Sequence, residues 1–318
     1  SVEATPIADL ALATAAGTPV VSIIIPVYGQ HETTFACLKS IASYPPRASY
    51  EVIVMDDCSP EPAQVALAPV RGIRVLRNER NLGFIGNVNA GAAAATGDYL
   101  LILNNDTMMR PGALDALIDT FEQHANVGLV GAKLLNADGS VQEAGGIVWR
   151  DGSAWNWGRG QNRDDPRFNF VRDADYCSGA ALAIRRELFA ALGGFDSYYA
   201  PAYYEDTDLA FRIRQRGLRV IYQPAAEIFH LEGVSHGRDE QSGIKAYQVF
   251  RLDSPGDGCV KKVHGHLTPI TQQMLRRQSV SFPLRSVFPA SSAGLPGPGH
   301  ALHFLGHARR AGFLRPAP

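Results

Sequence analysis

Short apolar runs bounded by polar residues recur along the first third of the chain, which has 318 residues. A continuous apolar run of this length is typical of a strand buried on both faces, as in a parallel sheet. The pattern predicts four such strands, at Val20 to Val27, Tyr50 to Met55, Ile73 to Leu76 and Tyr99 to Leu103.

Apolar residues recur at helical spacing between and after these runs. Phe35, Leu38 and Ile41 predict a helix over Thr33 to Ile41. Further helices are predicted from near Pro111, over Glu187 to Leu192 and over Glu205 to Arg216, with another strand over Val220 to Tyr222. This alternation predicts an α/β fold with a doubly wound sheet.

Polar residues follow two of the predicted strands where each strand ends. Asp56 and Asp57 follow the second, and Asn104, Asn105 and Asp106 follow the run YLLIL. Open α/β sheets bind ligands at the carboxyl ends of their strands, which makes Asp106 a candidate metal ligand. The alternative is that the polar triplet is turn chemistry that caps the strand.

Two familiar phosphate-binding loops are absent from the sequence. The first loop reads VYGQHE, without the GxGxxG pattern of dinucleotide sites, and no GxxxxGK[ST] segment is present. An acidic site without such loops needs a divalent cation between carboxylate and phosphate, which is ordinary chemistry for Mg²⁺ or Mn²⁺.

Three acids crowd the first turn of the predicted helix from Glu205, namely Glu205, Asp206 and Asp208. They complement the helix dipole, worth about 0.3 to 1 kcal/mol each, or one of them is a catalytic base that the dipole keeps ionised. Earlier in the chain, Trp149, Trp155 and Trp157 lie in a glycine-rich stretch. These indoles either stack on sugar rings or pack within a loop.

Composition excludes several classes of protein. With 46% hydrophobic and 19% charged residues, the chain has the composition of a soluble globular protein. The net charge is −1, but nine Lys or Arg and only two Asp follow Phe250. No basic surface interleaved with aromatic residues is indicated, so nucleic acid is not an expected partner. No membrane span, signal peptide or CxxC pair is found, and a cytoplasmic location is expected.

Taken in order, the motifs resemble the inverting nucleotide-sugar glycosyltransferases of family 2, in their rhamnosyltransferase-like branch. The resemblance covers about Pro19 to Phe250. It is carried by VSIIIPVYGQ, EVIVMDDCSPE, NLGFIGNVNAG, GDYLLILNNDT, CSGAALAIRRELFAALGGFD and YYEDTDLAFRIRQRGLRV, followed by FHLEG. It implies a GT-A fold, a Rossmann-like and mostly parallel sheet flanked by helices.

The resemblance also implies roles for individual residues. Those expected to bind the nucleotide-sugar are Pro26, Val27 and Tyr28 at the base, either Asp56 or Asp57 bonded to it, and Asn81, Gly83, Asn89, Asn104 and Asn105. Asp106 and His230 are the implied ligands of Mn²⁺ or Mg²⁺, and Asp206 is the implied catalytic base. The triplet departs from the acidic form of the family's motif at Asn104, which removes one negative charge near the metal.

The expected organisation is a leader or linker over residues 1–18, a GT-A domain over 19–250 and a basic, Pro-rich, poorly patterned tail over 251–318. The tail is either a natural extension or the product of a shifted reading frame. The implied function is transfer of a sugar from a UDP-, dTDP- or GDP-sugar to a glycan or lipid-linked acceptor in surface polysaccharide synthesis. Contact with the inner face of the membrane or with a partner domain is compatible with it. The alternative is a non-catalytic binding module or inactive fragment.

Overall fold

The computed structural model describes residues 7–149, 154–200 and 202–231. Its strands are β1 (Leu10–Ala11), β2 (Val21–Val27), β3 (Tyr50–Asp56), β4 (Val70–Arg71), β5 (Arg74–Arg77), β6 (Tyr99–Leu103), β7 (Thr107–Met109), β8 (Val127–Leu135), β9 (Val141–Glu143), β10 (Gly146–Val148), β11 (Ala154–Asn156), β12 (Arg172–Asp173), β13 (Ala181–Arg185) and β14 (Arg219–His230). Its helices are α1 (His31–Ser43), α2 (Ala63–Ala66), α3 (Gly83–Ala94), α4 (Ala113–Gln123), α5 (Arg186–Ala191) and α6 (Glu205–Gln215).

Most of these strands form one central sheet, in the order β12-β14-β8-β13-β6-β2-β3-β5, with β7 on β14 and β9 on β8. Strands β5, β3, β2 and β6 run parallel. Strand β13 is antiparallel to both β6 and β8, and β14 is again parallel to β8. The chain moves outward from β2 to β5 and returns to β6, so the strand order reverses between β2 and β6. Ligands bind at such switch points in open α/β sheets.

Helices cover both faces of the sheet. Ile23 and Ile25 of β2 belong to the core layer that contains α1 and α4, whereas Ile24 faces the layer that contains α3, α5 and α6. This period of two explains why the strand is apolar at successive positions: both of its faces are buried. The α/β fold with a central sheet flanked by helices is confirmed, and β5, β3, β2 and β6 form the parallel part of this mixed sheet.

The strands and helices predicted for the first hundred residues are confirmed within a few residues at their ends. Several elements were not predicted, among them three parts of the central sheet. Strand β7 follows directly after Asp106, a long buried strand β8 precedes β9, and the strand predicted over Val220 to Tyr222 continues to His230. The pairing of β14 with β8 is irregular between Gln223 and Glu227. This stretch contains Pro224, which has no backbone N–H to donate to the neighbouring strand.

Part of the expected leader is packed against the fold. Leu10 and Ala11 pair in parallel with Val70 and Arg71, and the N–H of Ala15 donates to the carbonyl of Tyr50 at 2.8 Å. The domain boundary at residue 250 and the tail over 251–318 lie outside the described residues. Within the described ranges, no helix combines the length and the apolar character needed to cross a membrane.

Glu51 joins several elements at the sheet edge opposite the carboxyl ends of the parallel strands. Its carboxylate accepts hydrogen bonds from the hydroxyl of Ser22 at 2.6 Å and from the N–H and hydroxyl of Thr96 at 2.8 and 2.7 Å, and it pairs with Arg74. Burial opposes its ionisation, but these bonds outweigh burial and lower the pKa of Glu51 from 4.5 to about 2.

The lowered pKa makes Glu51 a pH-dependent source of stability. Its contribution is fully present above its unfolded pKa, near 4.5, and is lost as pH falls toward 2. We predict that Glu51→Gln lowers the free energy of unfolding by about 1 to 3 kcal/mol at pH 7 and by less at pH 3. Denaturant titrations at both pH values measure this. The exposed Glu122→Gln is the control, and an equal loss at both pH values would contradict the role of the Glu51 charge.

Candidate active site

A cavity of about 560 Å³ opens at the carboxyl edge of the parallel strands. All but two of the residues predicted for the site line this cavity: Pro26, Val27, Tyr28, Asp57, Asn81, Gly83, Asn104, Asn105, Asp106, Asp206 and His230. They come from six separate parts of the chain, and the sheet topology brings them together.

Asp57 anchors one side of the cavity, where β3 ends. Its carboxylate accepts hydrogen bonds from the side-chain amide of Asn78 at 2.8 Å and from the backbone N–H groups of Leu82 and Gly83 at 2.8 and 2.9 Å. Those N–H groups begin α3 and have no partner inside the helix, so a carboxylate there is stabilised. Gly83 has a φ of +71°, which favours glycine at this turn.

Two predicted nucleotide-binding residues do not line the cavity. Asp56 is fully buried, and its carboxylate accepts from the N–H groups of Ser59 and Ala63 and pairs with Arg77, so it closes the loop after β3. Of the pair Asp56 and Asp57, the structure therefore favours Asp57. Asn89, which was expected to bind the nucleotide-sugar, lies away from the cavity as well. Its side chain accepts from the N–H of Phe195 and donates to the carbonyl of Phe195, on the opposite side of α3 from the cavity.

Asp106 and His230 lie side by side because β7 pairs with β14. His230 is directly opposite Thr107 in that antiparallel ladder. Its Nε2 lies 3.2 Å from Oδ1 of Asp106, a buried oxygen that makes no hydrogen bond with the described residues. A buried carboxylate oxygen without a hydrogen bond, next to an imidazole nitrogen, is a good fit for a divalent cation.

Gln142 fixes the orientation of the His230 ring. The Gln142 amide nitrogen donates to the side-chain oxygen of Asn136 and to the carbonyl of His230, both at 3.2 Å, so its oxygen faces Nδ1 of His230 at 2.7 Å. That oxygen only accepts, so Nδ1 carries a proton, and Nε2 is the ring nitrogen that faces Asp106. A histidine metal ligand is usually held in this way by a group on its other nitrogen.

Two amides of the triplet complete this part of the cavity. Oδ1 of Asn104 is buried and makes no hydrogen bond with the described residues, and the side-chain amide of Asn105 donates to the hydroxyl of Thr34 at 3.1 Å. Within the described ranges, no third His, Cys, Asp or Glu joins Asp106 and His230. Mg²⁺ and Mn²⁺ sites of this kind take their other ligands from substrate phosphates, amide oxygens and water.

Asp206 lies in the first turn of α6 and faces the cavity. Its carboxylate accepts from the N–H of Gly179 at 3.0 Å and from the N–H and hydroxyl of Thr207 at 2.6 and 3.2 Å. Enclosure by protein raises the pKa of Asp206 above its ordinary value, although these hydrogen bonds oppose the rise. Desolvation therefore opposes the ionising effect that was expected of the helix N-terminus.

The other two acids of this turn have different surroundings. Asp208 does not line the cavity, and its carboxylate accepts from Nε of Arg212, one helical turn later, at 2.6 Å. This agrees with the expected separation of about 200° around the helix between Asp206 and Asp208. Glu205 is buried and lines the cavity. Asp206 and Glu205 therefore both line the cavity, whereas Asp208 does not.

Unusual backbone conformations cluster around the cavity. Tyr203 and Tyr204, directly before α6, have φ values of +78° and +72°, and Gln30 and Cys58, in the loops after β2 and β3, have values of +53° and +62°. Positive φ is costly for side chains as bulky as tyrosine. Such residues concentrate at functional sites, where the surrounding structure maintains them.

Sequence reasoning missed the side of the cavity opposite Asp57. This side contains Gln142, Glu143, Asn156, Arg159, Tyr176 and Ser178. Gln142 and Glu143 are both buried, and they stand as a polar pair inside the apolar stretch VQEAGGIV. A polar pair flanked by apolar residues is a signal that could have identified them.

The three tryptophans divide between the two roles considered for them. Trp157 packs edge-on against Phe168, with ring centroids 6.0 Å apart, and is a packing residue. Trp149 and Trp155 are 48% and 50% exposed and contact each other edge to face at 5.7 Å. They lie after β10 and in β11, next to the cavity residues Ala154 and Asn156. Contact of this pair with a sugar ring stays a prediction.

Solved structures with the same architecture are glycosyltransferases of the GT-A fold. The chain superposes on GalNAc-T7, solved with UDP, GalNAc and Mn²⁺, with a TM-score of 0.55 and 19% identity, covering 74% of this chain and 48% of that one. It superposes on a mannosyltransferase of Pyrobaculum calidifontis, solved with GDP-Man and Mn²⁺, with a TM-score of 0.51 and 19% identity, covering 94% and 83%. These likenesses show that the chain has the GT-A fold.

The chain belongs to glycosyl transferase family 2, whose model matches residues 22–193, more than half of the chain. It is 29% identical over 259 residues to an N-acetylglucosaminyl-diphospho-decaprenol L-rhamnosyltransferase of Mycobacterium tuberculosis, covering 72% of this chain and 82% of that protein. It is 30% identical over 256 residues to the O-antigen biosynthesis protein RfbC of Myxococcus xanthus, covering 76% and 20%. It also spans 26% of the protein y4gI of Sinorhizobium fredii, at 30% identity over 237 residues.

The contacts of Asp106 and Gln142 generate a prediction about metal binding. Asp106→Asn removes the single carboxylate of the NND triplet, and we expect Mn²⁺-dependent binding of nucleoside diphosphate to fall to the level seen with EDTA. Gln142→Ala frees the His230 ring and should weaken binding by about 10- to 100-fold. Asn104→Ala should do less than Asp106→Asn. Calorimetric titration with UDP, dTDP and GDP measures the affinities, and binding unchanged by EDTA would remove the metal from the site.

Proposed function

We propose that the chain is an inverting glycosyltransferase that moves a sugar from a nucleotide-sugar to a hydroxyl group of a glycan or lipid-linked acceptor in surface polysaccharide synthesis. One observation carries this proposal: a carboxylate suited to proton transfer, Asp206, faces the same cavity as the ligand pair of Asp106 and His230. The family match and the rhamnosyltransferase, of which the chain covers 82%, support it.

The nucleotide of the donor is proposed to occupy the side of the cavity formed by Pro26, Val27, Tyr28 and Asp57. Tyr28 is 56% exposed at the rim, so its ring is available to a nucleobase. Asn81, Gly83 and the amides of Asn104 and Asn105 line the same side. UDP, dTDP and GDP are the candidate nucleotides.

Asp106 and His230 would hold Mn²⁺ or Mg²⁺, with Asn104 as the nearest uncharged oxygen donor of the triplet. When bound, the cation supplies charge that stabilises the departing nucleoside diphosphate. The triplet contributes a single carboxylate, so the site carries less negative charge than an acidic triplet would give it. This smaller charge agrees with a ligand that brings its own phosphate charges.

Asp206 is proposed as the base. Its carboxylate takes the proton of the acceptor hydroxyl while that oxygen forms the new bond to the anomeric carbon, and the bond from this carbon to the diphosphate oxygen breaks with its electron pair on the diphosphate. A raised pKa brings the carboxylate closer to the operating pH and makes it a stronger base.

The acceptor is proposed to enter past β10 and β11, beside the exposed pair of Trp149 and Trp155. The name of the mycobacterial relative contains a lipid-linked sugar, which supports an acceptor of that class and a protein that works at the inner face of the membrane.

We further propose that residues 19–250 form the catalytic domain. The family match over residues 22–193 and the sheet, which extends to His230, both lie within these bounds.

The proposed base gives a prediction about turnover. Asp206→Asn should lower kcat by about 10²- to 10⁴-fold because it removes proton transfer in the transition state. Affinity for the nucleotide-sugar should change little, since the donor contacts are intact. Transfer assays with UDP-, dTDP- and GDP-sugars and Mn²⁺, together with donor titrations, separate the two quantities.

Asp208→Asn is the matched control, because Asp208 is in the same turn, bonds Arg212 and does not line the cavity. It should affect stability more than turnover. If Asp206→Asn transfers sugar at nearly the wild-type rate while Glu205→Gln in a folded protein does not, the base has been assigned to the wrong carboxylate.

A further inference from the structure

Glu143 is a buried acid inside the cavity that the mechanism above does not use. Its side chain is 1% exposed, and it stands at the end of β9, which pairs with the end of β8. Oε1 accepts a hydrogen bond from the N–H of Ser178 at 2.8 Å, whereas Oε2 makes none with the described residues. Leaving a buried polar atom unpaired costs about 1 to 3 kcal/mol, so a group with this placement is expected to have a partner when the site is occupied.

One turn of the chain holds Glu143 next to the proposed base. The N–H of Ser178 donates to Glu143, and the next N–H, that of Gly179, donates to Asp206 at 3.0 Å. Consecutive backbone N–H groups therefore place the two carboxyl groups side by side. Glu143 and Asp206 both line the cavity, so an acceptor sugar bound at Asp206 shares that cavity with Glu143.

The charged groups around Glu143 come from several elements. Asp206 lies at the start of α6, Arg172 in β12 and Arg159 in the loop after β11, and the neutral side chains of Tyr176 and Cys177 come from the segment before β13. Burial is the largest influence and Asp206 adds to it, so that the pKa of Glu143 rises to about 8 although both arginines oppose the rise. At neutral pH Glu143 therefore carries a proton.

We propose that Glu143 is a substrate-contacting residue, whose Oε2 forms a hydrogen bond with a hydroxyl group of the acceptor sugar and thereby orients the reacting hydroxyl toward Asp206. This inference rests on the function proposed above and deepens it. The acceptor is favoured over the donor because Glu143 lies with Asn156, Tyr176 and Ser178 on the side of the cavity opposite Asp57. In its protonated form, the acid donates this bond from Oε2 and leaves the negative charge of the pair on Asp206.

The test compares Glu143→Ala with Glu143→Gln. The glutamine side chain has the shape of the protonated acid, accepts from Ser178 through its oxygen and donates through its nitrogen. The assay is transfer from UDP-, dTDP- and GDP-sugars, with Mn²⁺, to p-nitrophenyl glycosides that include the N-acetylglucosaminide. The acceptor KM, kcat and donor affinity are measured for each variant from pH 6 to 9. The exposed Glu187→Gln is the surface control.

We expect Glu143→Ala to raise the acceptor KM by roughly tenfold, the equivalent of one lost hydrogen bond, with an unchanged donor affinity. Glu143→Gln should recover most of that loss. In the wild type the acceptor KM should rise as pH passes about 8, where Glu143 ionises and can no longer donate, and Glu143→Gln should lack this rise. A purely structural role would not produce a difference in pH profile between acid and amide.

Three outcomes would overturn the role of Glu143: an acceptor KM that Glu143→Ala leaves unchanged, an equal loss of donor affinity, or a Glu143→Gln variant that behaves as Glu143→Ala at every pH. Should Glu143→Ala fail to fold, the comparison of wild type with Glu143→Gln across pH decides the question. Failure of the proposed function is a separate result, in which the wild-type protein binds no nucleoside diphosphate in the presence of Mn²⁺.

Discussion

The position of β6 between a parallel and an antiparallel neighbour is the constraint on which the site depends. Strand β2 runs parallel to β6, so both strands end at the same edge, with Tyr28 after one and Asn104 after the other. Strand β13 runs antiparallel, so the turn with Ser178 and Gly179 before β13 lies at that edge too, and the N–H of Asn104 donates to the carbonyl of Ala180 at 2.9 Å. Since β8 and β14 run parallel to each other, His230 arrives at the same edge. The reversal of β13 thus allows the groups proposed to bind the donor, to bind the metal and to transfer the proton to share one cavity.

Much of this arrangement could be predicted from the sequence because its parts have local signals. Apolar runs that stop at acids located the ends of β3 and β6, and helical spacing placed Asp206 in the first turn of α6. The choice between Asp56 and Asp57 could not be made in this way, because successive residues of an extended segment point to opposite sides. The side of α3 that faces the cavity could not be predicted for a similar reason. Asn89, which was expected to bind the nucleotide-sugar, lies about 200° around the helix from Asn87, which lines the cavity.

Glu143 shows what local signals leave out. Its position depends on a short antiparallel pairing of β9 with β8 and on an N–H group 35 residues further along the chain. Neither partner is visible in the residues around it, which read as a three-residue strand next to glycines. The same is true of Gln142, whose contact with His230 spans 88 residues. Long-range polar contacts of this kind are set by topology, and pattern analysis of a single sequence does not contain them.

Two acids that meet in a desolvated cavity cannot both be ionised without a large electrostatic cost. The structure resolves this conflict through unequal hydrogen bonding: Asp206 accepts three hydrogen bonds, whereas Glu143 accepts one. Hydrogen bonds from N–H and O–H groups favour the charged form of a carboxyl group, so the proton is better held by Glu143 and the charge by Asp206. An acid and a base with separate tasks can therefore arise from two carboxyl groups held by one turn, even though Arg172 and Arg159 favour the ionised form of Glu143. Under this assignment, a neighbour that keeps its proton lowers the electrostatic cost of a charge on Asp206.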